Sequence, residues 1–598
     1  MIERRRLTLH KHWNGLLALG AALLLLPFFN ALTAYYADRD ALLVTYLIIG
    51  LTVFIVLVKV PDESKDKMFL LALACVSLSL FFVYEFASPY VLTADMQLEL
   101  YVFGQVLTNN RWHAAFAGAK TAVFNTALSI TVLPVILNIE SSISGTLIFK
   151  FLFPILYSMF PLILYRVYRQ FLDPSAAFLS GLIVVMDPTF YGEMLQLGRQ
   201  MIAEIFLALL LLMAVSKRKQ SKTLSGMLLI LIFSFGIIVA HYTIAFILLL
   251  LMLSSFLLST FSKRVETLWG SGILLAWLVL LLTWFLLLTR GAVMLNLATN
   301  VSEVWTGITN DLLNPASRPM IVQTALFLNS PTPGILHVIS RFSQYAAVAS
   351  ILIGFLALLR KKKKSAAERQ LMPLIAISFG MLVATVGIPI FGAVLNFSRF
   401  FHLALIFIAP CAFFGVQWLI SEFRRVIPHR IRVRPFGPRV PLAALIFLYF
   451  IFTSGWVWAV TRDPYPTSIS IDWQRMKDST NLSFVEYYYT SYDSPEDVVA
   501  AYWLSHFASP TQPVCADFSS TYQVLASYGQ RDPYNGNLAY VLEFGNCQFA
   551  QNEYIYFSEF NGLYRAYGIG SPISIYQISS RVAKSNRVYS GGATVYYS

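Results

Sequence analysis

EFASPYVLTADMQLELYVFGQVLTNN, residues 85–110, is the first long polar interruption in a very apolar N-terminal half. The chain after it stays only weakly apolar to about Gly145. Asp95 and Glu99 lie four residues apart here, so a helix places both carboxylates on one face. Carboxylates beside a bilayer are costly and mark function. The stretch is therefore read as the entrance of a membrane-embedded catalytic site. One carboxylate there accepts the proton of an acceptor hydroxyl, or Asp95 holds a divalent metal, Mg or Mn, that orients a phosphate.

The residues on either side set the class. Hydrophobic residues make up 57% of the 598, charged residues 13%, and the mean hydropathy is +0.64. A soluble globular protein does not have this balance. Apolar runs of membrane-crossing length predict a polytopic α-helical membrane protein of about thirteen spans. They fall near 15–34, 41–59, 68–84, 146–165, 175–190, 200–216, 223–241, 243–262, 267–289, 341–359, 371–390, 401–421 and 439–460. The first run follows Arg4, Arg5 and Arg6, but it is long and lacks a small-x-small cleavage site, so it reads as a retained anchor rather than a signal peptide.

The net charge of +13 is unevenly spread. Basic residues gather in alternate connections, among them Arg4–Arg6, Lys217–Lys219 with Lys222, Lys361–Lys364 and Arg424 to Arg439. That asymmetry predicts N-in, C-out insertion. The part after residue 460 is mildly acidic, which argues against a nucleic-acid partner. The expected organisation is an N-terminal span region at 1–84, a catalytic-type outer loop at 85–145, a transmembrane core at 146–460 and an extracytoplasmic α/β domain at 461–598. In that last part DVVAAYWLSHF and STYQVLASYG read as helices, and PVCADF, EYIYFSEF and ATVYYS as strands. Gly591 and Gly592 mark a hairpin turn. Cys515 and Cys547 are its only cysteines and form a candidate disulfide. No nucleotide-binding glycine motif appears, which disfavours an NTP-driven pump.

Further polar residues sit at span ends. Asp38-Arg39-Asp40 is a short DxD in a tight hairpin, and MDPTFYGEMLQLGRQMIAE carries Asp187, Glu193 and Arg199. Arg199 opens an outward-facing span, and its guanidinium is suited to clamping a phosphate. His241 and Tyr242 occupy the tip of IIVAHYTIAF, where a histidine can donate to a leaving phosphate. In VLNFSRFFHLALIF, Arg399 and His402 stand three apart on one helical face, both costly at that depth unless paired. Lys150 and Glu204 are the main charges inside spans, and both fall near span ends. Residues 290–340 contain no clear span and read as an outer cover over the site.

The segments ADMQLELYVFG, LSITVLPVIL, FKFLFPILYSMFPLILY, LGRQMIAEIFLALL, AHYTIAF, LNFSRFFHLALIFIAPCAFFG and NRVYSGGATVYY resemble an archaeal family of multi-pass membrane proteins of unknown function. That family is similar to the GT-C superfamily of lipid-phosphate-sugar-dependent glycosyltransferases. The resemblance implies a GT-C-like helical core at the cell membrane. It further implies a polyprenyl- or dolichyl-phosphate sugar as donor and a glycan, lipid or protein hydroxyl as acceptor. By position, the acidic catalytic or metal-binding residue of such enzymes maps onto Asp95, with Glu99 beside it. Because this loop follows the third span rather than the first, Asp38 and Asp40 remain alternatives. The WWDYG-type motif of oligosaccharyltransferases is absent from 461–598, which points away from oligosaccharide transfer to Asn. Direct displacement is the expected mechanism, with phosphate held by Arg199 or Arg399 and His241 or His402 nearby. The rival reading is a transporter or flippase of a lipid-linked or cell-envelope substrate, which calls for a buried acid at mid-membrane. A non-catalytic surface-anchoring protein is a third.

Overall fold

A computed structural model describes residues 2–92, 95–113, 121–216, 223–262, 265–318, 322–323, 334–394, 396–426, 437–464, 466–468, 471–509, 512–533, 552–567, 573–574, 582–583 and 585–597. Cys547 and the basic runs 217–222 and 427–436 lie outside the described residues. Most of the chain is helical. Among the described residues ten helices are long and apolar enough to cross a membrane: Asn14–Tyr35, Arg39–Leu57, Asp62–Glu85, Gly145–Tyr168, Gly198–Val215, Tyr242–Phe261, Ser271–Leu288, Ile335–Arg360, Ala366–Gly387 and Phe397–Arg425.

The other three expected spans coincide with helices of a different kind. Pro174–Val185 and Pro188–Gln196 together cover one, bent by 63°. The break follows from Pro188, which lacks an N–H and pushes Asp187 into an extended conformation at φ −72°, ψ 128°. Leu224–Ala240 and Arg439–Thr453 are the other two, and both are shorter than a full crossing. The stretch expected to be spanless holds the helix Ala292–Asp311, in which polar Asn, Thr and Ser residues alternate with apolar ones. It is not among the helices apolar enough to cross.

Helix pairing in a lipid environment relies on close backbone approach at small residues. Ile335–Arg360 and Phe397–Val426 meet in this way. A Cβ on Gly354 would collide with the Cys411 carbonyl, and one on Gly415 with the Ser350 carbonyl. Backbone cannot yield as a flexible side chain can. Gly354→Val is therefore expected to lower stability by at least about 1–3 kcal/mol, measured as a lower Tm of the detergent-solubilised protein.

Between its partly open first residue, Asp95, and its exposed last turn, the helix Asp95–Asn109 is enclosed. Met96, Gln97, Leu98, Glu99, Leu100, Tyr101, Val102, Phe103 and Val106 are all buried. A helix buried all round needs cover from two directions. The helical bundle supplies one and the C-terminal part the other. That part contains a four-stranded mixed sheet in the order β1 (Val514–Cys515), β2 (Tyr554–Phe557), β6 (Ala593–Tyr597), β5 (Asn586–Gly591). β1 and β2 are parallel, whereas β2–β6 and β5–β6 are antiparallel. β3 (Ala566–Tyr567) and β4 (Ile573–Ser574) form a separate pair. Gly592, at φ 93°, makes the β5–β6 turn, a conformation that glycine adopts without steric cost. The amphipathic helix Pro495–Phe507 packs on the sheet, and Tyr556 Oη donates to Asp497 at 2.7 Å.

Candidate active site

Asp95 begins its helix at the mouth of the bundle, and two arginines from distant parts of the chain converge on it. Arg199 Nη2 lies 2.7 Å from Asp95 Oδ2, and Arg399 Nη1 lies 3.3 Å from the same oxygen. Arg399 also reaches Glu193 at 3.6 Å, and Arg199 reaches Glu99 at 3.8 Å. Asp95 and Arg399 keep 24% and 25% of their side-chain surface exposed, while Arg199 keeps 6%. The carboxylate and one guanidinium are thus open to an incoming ligand, and the other guanidinium is held from behind. Its back face rests on the Phe124 ring, 4.0 Å from the centroid.

Local sequence explains each placement. Gly198 starts the helix that carries Arg199, and a Cβ there would stand 2.6 Å from Glu99 Oε2 and 3.0 Å from the Phe153 ring. The missing side chain lets Glu99 approach the helix N-terminus, where the Arg199 N–H donates to it at 3.5 Å. Asn396, at φ 53°, turns the chain into the helix Phe397–Val426, and Ser398 Oγ donates to its Oδ1 at 2.8 Å. Asparagine tolerates that left-handed conformation better than most residues. Arg399 consequently falls in the first turn.

Glu99 is fully buried, and burial raises its pKa to about 8, with the Asp95 charge adding to the rise and Arg199 opposing it. A carboxyl whose folded pKa lies above its unfolded value favours the fold while protonated. That contribution is present below the ordinary Glu range and is lost as pH rises through about 8. Relative to Glu99→Gln, the wild type is therefore expected to lose Tm steadily between about pH 5 and pH 8. A pH series of thermal melts on both proteins checks this.

A turn deeper than Arg399, His402 is enclosed by polar groups from three other elements. Its Nδ1 lies 3.4 Å from Asp187 and its Nε2 3.2 Å from Glu204. Tyr157 Oη donates to Glu204 at 2.6 Å and sits 3.2 Å from the His402 Nε2. Gln200 donates to Glu204 at 3.0 Å, and Tyr449 Oη to Asp187 at 3.5 Å. His402 and Glu204 are both fully buried. The arrangement ties the Arg199 helix to the Arg399 helix just beneath the two guanidiniums. His402 thus braces the site from below, a turn beneath the arginines. Arg399 and His402 do share a helix face, but the two side chains work at different depths. Nearby, Lys150 and Glu85 form a second buried pair at 3.2 Å, with Lys150 also donating to the Tyr90 carbonyl at 3.1 Å.

His241 caps the helix Tyr242–Phe261, its Nδ1 accepting from the Ile244 N–H at 3.4 Å, and its ring stacks on Tyr242 at 5.4 Å. It is buried, and the charges of Arg199 and Arg399 bear on it, which puts it at the edge of the same group. Asp38 caps the helix Arg39–Lys59 through the Ala41 N–H, and Arg39 pairs with Asp472 at 3.1 Å. These are structural roles for Asp38 and Arg39. Cys515 is disulfide-bonded and Cys75 and Cys411 are free thiols. Among the described residues no group of three or more His, Cys, Asp or Glu side chains is arranged to hold a metal. A cation at Asp95 would face two guanidiniums, so this arrangement does not fit the divalent ion expected there and suits an anion.

Tyr157, Gln200 and Tyr449 are members of the site that sequence reasoning passed over. All three look like ordinary span residues, although Gln200 stands four positions before Glu204, the spacing of a helical side-chain pair. Asp187, Glu193 and Glu204 stood out as charges, but nothing in the sequence joined them to His402 or Arg399.

The family model described as "Predicted membrane protein (DUF2206)" matches residues 226–595. The chain belongs to this family. It is a multi-pass membrane protein, mostly helical with a small sheet. Among solved structures it is similar to the Archaeoglobus fulgidus oligosaccharyltransferase tethered with an acceptor peptide containing the NVT sequon. The two share 14% identity over 84% of this chain and 70% of that one, with a TM-score of 0.49. The same enzyme in complex with Zn and sulfate is 15% identical over 83% and 68%, with a TM-score of 0.47. The arabinofuranosyltransferase AftD from Mycobacteria is 15% identical over 75% of this chain and 30% of that one, with a TM-score of 0.36. No curated protein sequence matches the chain.

Proposed function

We propose that this DUF2206 protein is a GT-C-type membrane glycosyltransferase, moving a sugar from a polyprenyl-phosphate donor to an acceptor hydroxyl on the outer face of the cell membrane. The observation that carries the reading is Asp95 held between Arg199 and Arg399, half-open at the mouth of an apolar bundle. Two guanidiniums around one oxygen are a seat for an anion with several oxygens, and a phosphate fills it better than a single carboxylate. When the donor phosphate takes the arginines, Asp95 is freed from both and becomes a competent base. It then accepts the acceptor's proton as the hydroxyl oxygen bonds to the anomeric carbon. The bond from that carbon to the phosphate oxygen breaks with inversion, and its electron pair leaves on the polyprenyl phosphate, which the arginines stabilise.

Tying the base to the donor's arrival makes Asp95 available at the moment an anomeric carbon is in place for attack. His402, with Asp187, Glu204 and Tyr157, keeps the two arginine helices in register. The N-in, C-out topology read from the basic clusters puts this mouth and the C-terminal sheet on the outer side, where lipid-linked sugars are the available donors.

Transfer from a radiolabelled polyprenyl-phosphate sugar by the protein in proteoliposomes tests the reading. Sugar appearing on an acceptor supports it, and no transfer with any such donor removes it. The buried set of His402, Asp187 and Glu204 within the helices is what an ion-coupled transporter would need. Substrate flux without transfer, abolished by Glu204→Gln, would establish that alternative in the same vesicles.

A further inference from the structure

Residues two apart on a helix point to nearly opposite sides. Asp95 turns toward the arginines, while Gln97, fully buried, turns toward the C-terminal part of the chain. There its amide nitrogen donates to the buried Asp493 carboxylate and, at 3.2 Å, to the Val91 carbonyl. Both partners are acceptors, which sets the orientation of the amide. The Val91 N–H in turn donates to Tyr528 Oη at 3.2 Å, and the Tyr90 ring packs edge-on against Tyr528 at 5.6 Å. Further along, Gly104 lies so near Gln530 that a Cβ would stand 2.6 Å from its side-chain oxygen, and Thr121 donates to Asp532 at 2.8 Å.

From the C-terminal part, Asp493, Tyr528 and Gln530 therefore hold the acidic helix and the segment before it, and Asp532 holds Thr121 beyond it. Residues on the approach to a helix set where its first turn sits, and Asp95 is in that first turn. A shift of about an ångström in a reacting group is enough to cost orders of magnitude in rate. Asp493 also has little freedom to move, because Ser494 caps the following helix at 3.0 Å through the Asp497 N–H.

We propose that Asp493 is a positioning residue: through its hydrogen bond to Gln97 the C-terminal part holds the first turn of Asp95–Asn109, and so holds Asp95 between Arg199 and Arg399. The C-terminal part is on this account a strut for the catalytic helix, whatever else it binds. The kinetic consequence rests on the reading of Asp95 as the base, but the mechanical one does not.

Hydrogen–deuterium exchange on the full-length protein in nanodiscs separates the two. Asp493→Ala is expected to speed exchange of the amides at 95–101 by about tenfold or more, the weight of one buried hydrogen bond, with β5, β6 and Gly198–Val215 unchanged. Asp493→Asn keeps an acceptor oxygen and is expected to exchange as wild type. In the transfer assay Asp493→Ala is expected to lower kcat about tenfold with donor KM nearly unchanged, and Asp493→Asn to retain turnover. Unchanged exchange at 95–101 in Asp493→Ala, with the sheet still protected, overturns the proposal. Should Asp493→Ala also unprotect the sheet, Gln97→Met removes the same bond from the other side and decides by the same criterion. Faster exchange with unaltered kcat overturns the link to Asp95, whereas absence of transfer by the wild type refutes the transferase reading and leaves the exchange result standing.

Discussion

Asp95→Asn is expected to lower transfer by about 10²–10⁴-fold, the range a positioned general base contributes, while donor binding is kept or tightened. The second half of that expectation is what separates this site from a simple acidic pocket. In the ligand-free protein Asp95 competes with the donor phosphate for Arg199 and Arg399, at 2.7 and 3.3 Å. An amide is a far weaker competitor than a carboxylate, so the arginines in the variant stand ready for phosphate. Donor affinity measured by equilibrium binding of a labelled polyprenyl-phosphate sugar, alongside turnover, checks both halves. Retained turnover would shift the base to another residue, and weakened donor binding would show that Asp95 contacts the donor directly.

Arg199→Lys is expected to lower kcat/KM by about 10²–10³-fold, comparable to removing a preorganised donor from an oxyanion site. Lysine keeps the charge but loses the planar fork that spans Asp95 and Glu99 and rests on Phe124. The loss should appear in donor KM as well as kcat, because the guanidinium is engaged both before and during bond cleavage. Arg399 is more exposed and more loosely paired, and its lysine variant should lose less. Combining Asp95→Asn with Arg199→Lys should cost less than the product of the two, since base and clamp act on one event. Steady-state kinetics of the four proteins reads this out.

Much of the site was legible because the cost of charge near a bilayer is large and leaves a mark in any sequence. Asp95, Glu99, Arg199, Arg399 and His402 each stood out as charges or imidazoles where apolar residues were the cheaper choice. The β5–β6 turn at Gly592 was legible for another reason, since glycine acts on its own backbone. Tyr157 was not legible. A tyrosine in a span is chemically unremarked until its partner is known, and Glu204, its partner here, lies 47 residues away.

From its sequence alone the chain determined its class, the helices of its apolar runs and the short set of charged residues worth attention, because burial cost and periodicity are local properties of the chain. Only the tertiary structure decided which of those charges meet. Asp95 pairs with residues 104 and 304 positions away, and His402 lies beneath them between the carboxylates of Asp187 and Glu204. Gln97, an unexceptional residue between two carboxylates, turned out to connect the helix of Asp95 to a carboxylate 396 positions later. Pairings over such distances are set by how whole helices pack, and helix packing depends on surfaces assembled from the entire chain rather than on any one stretch of it.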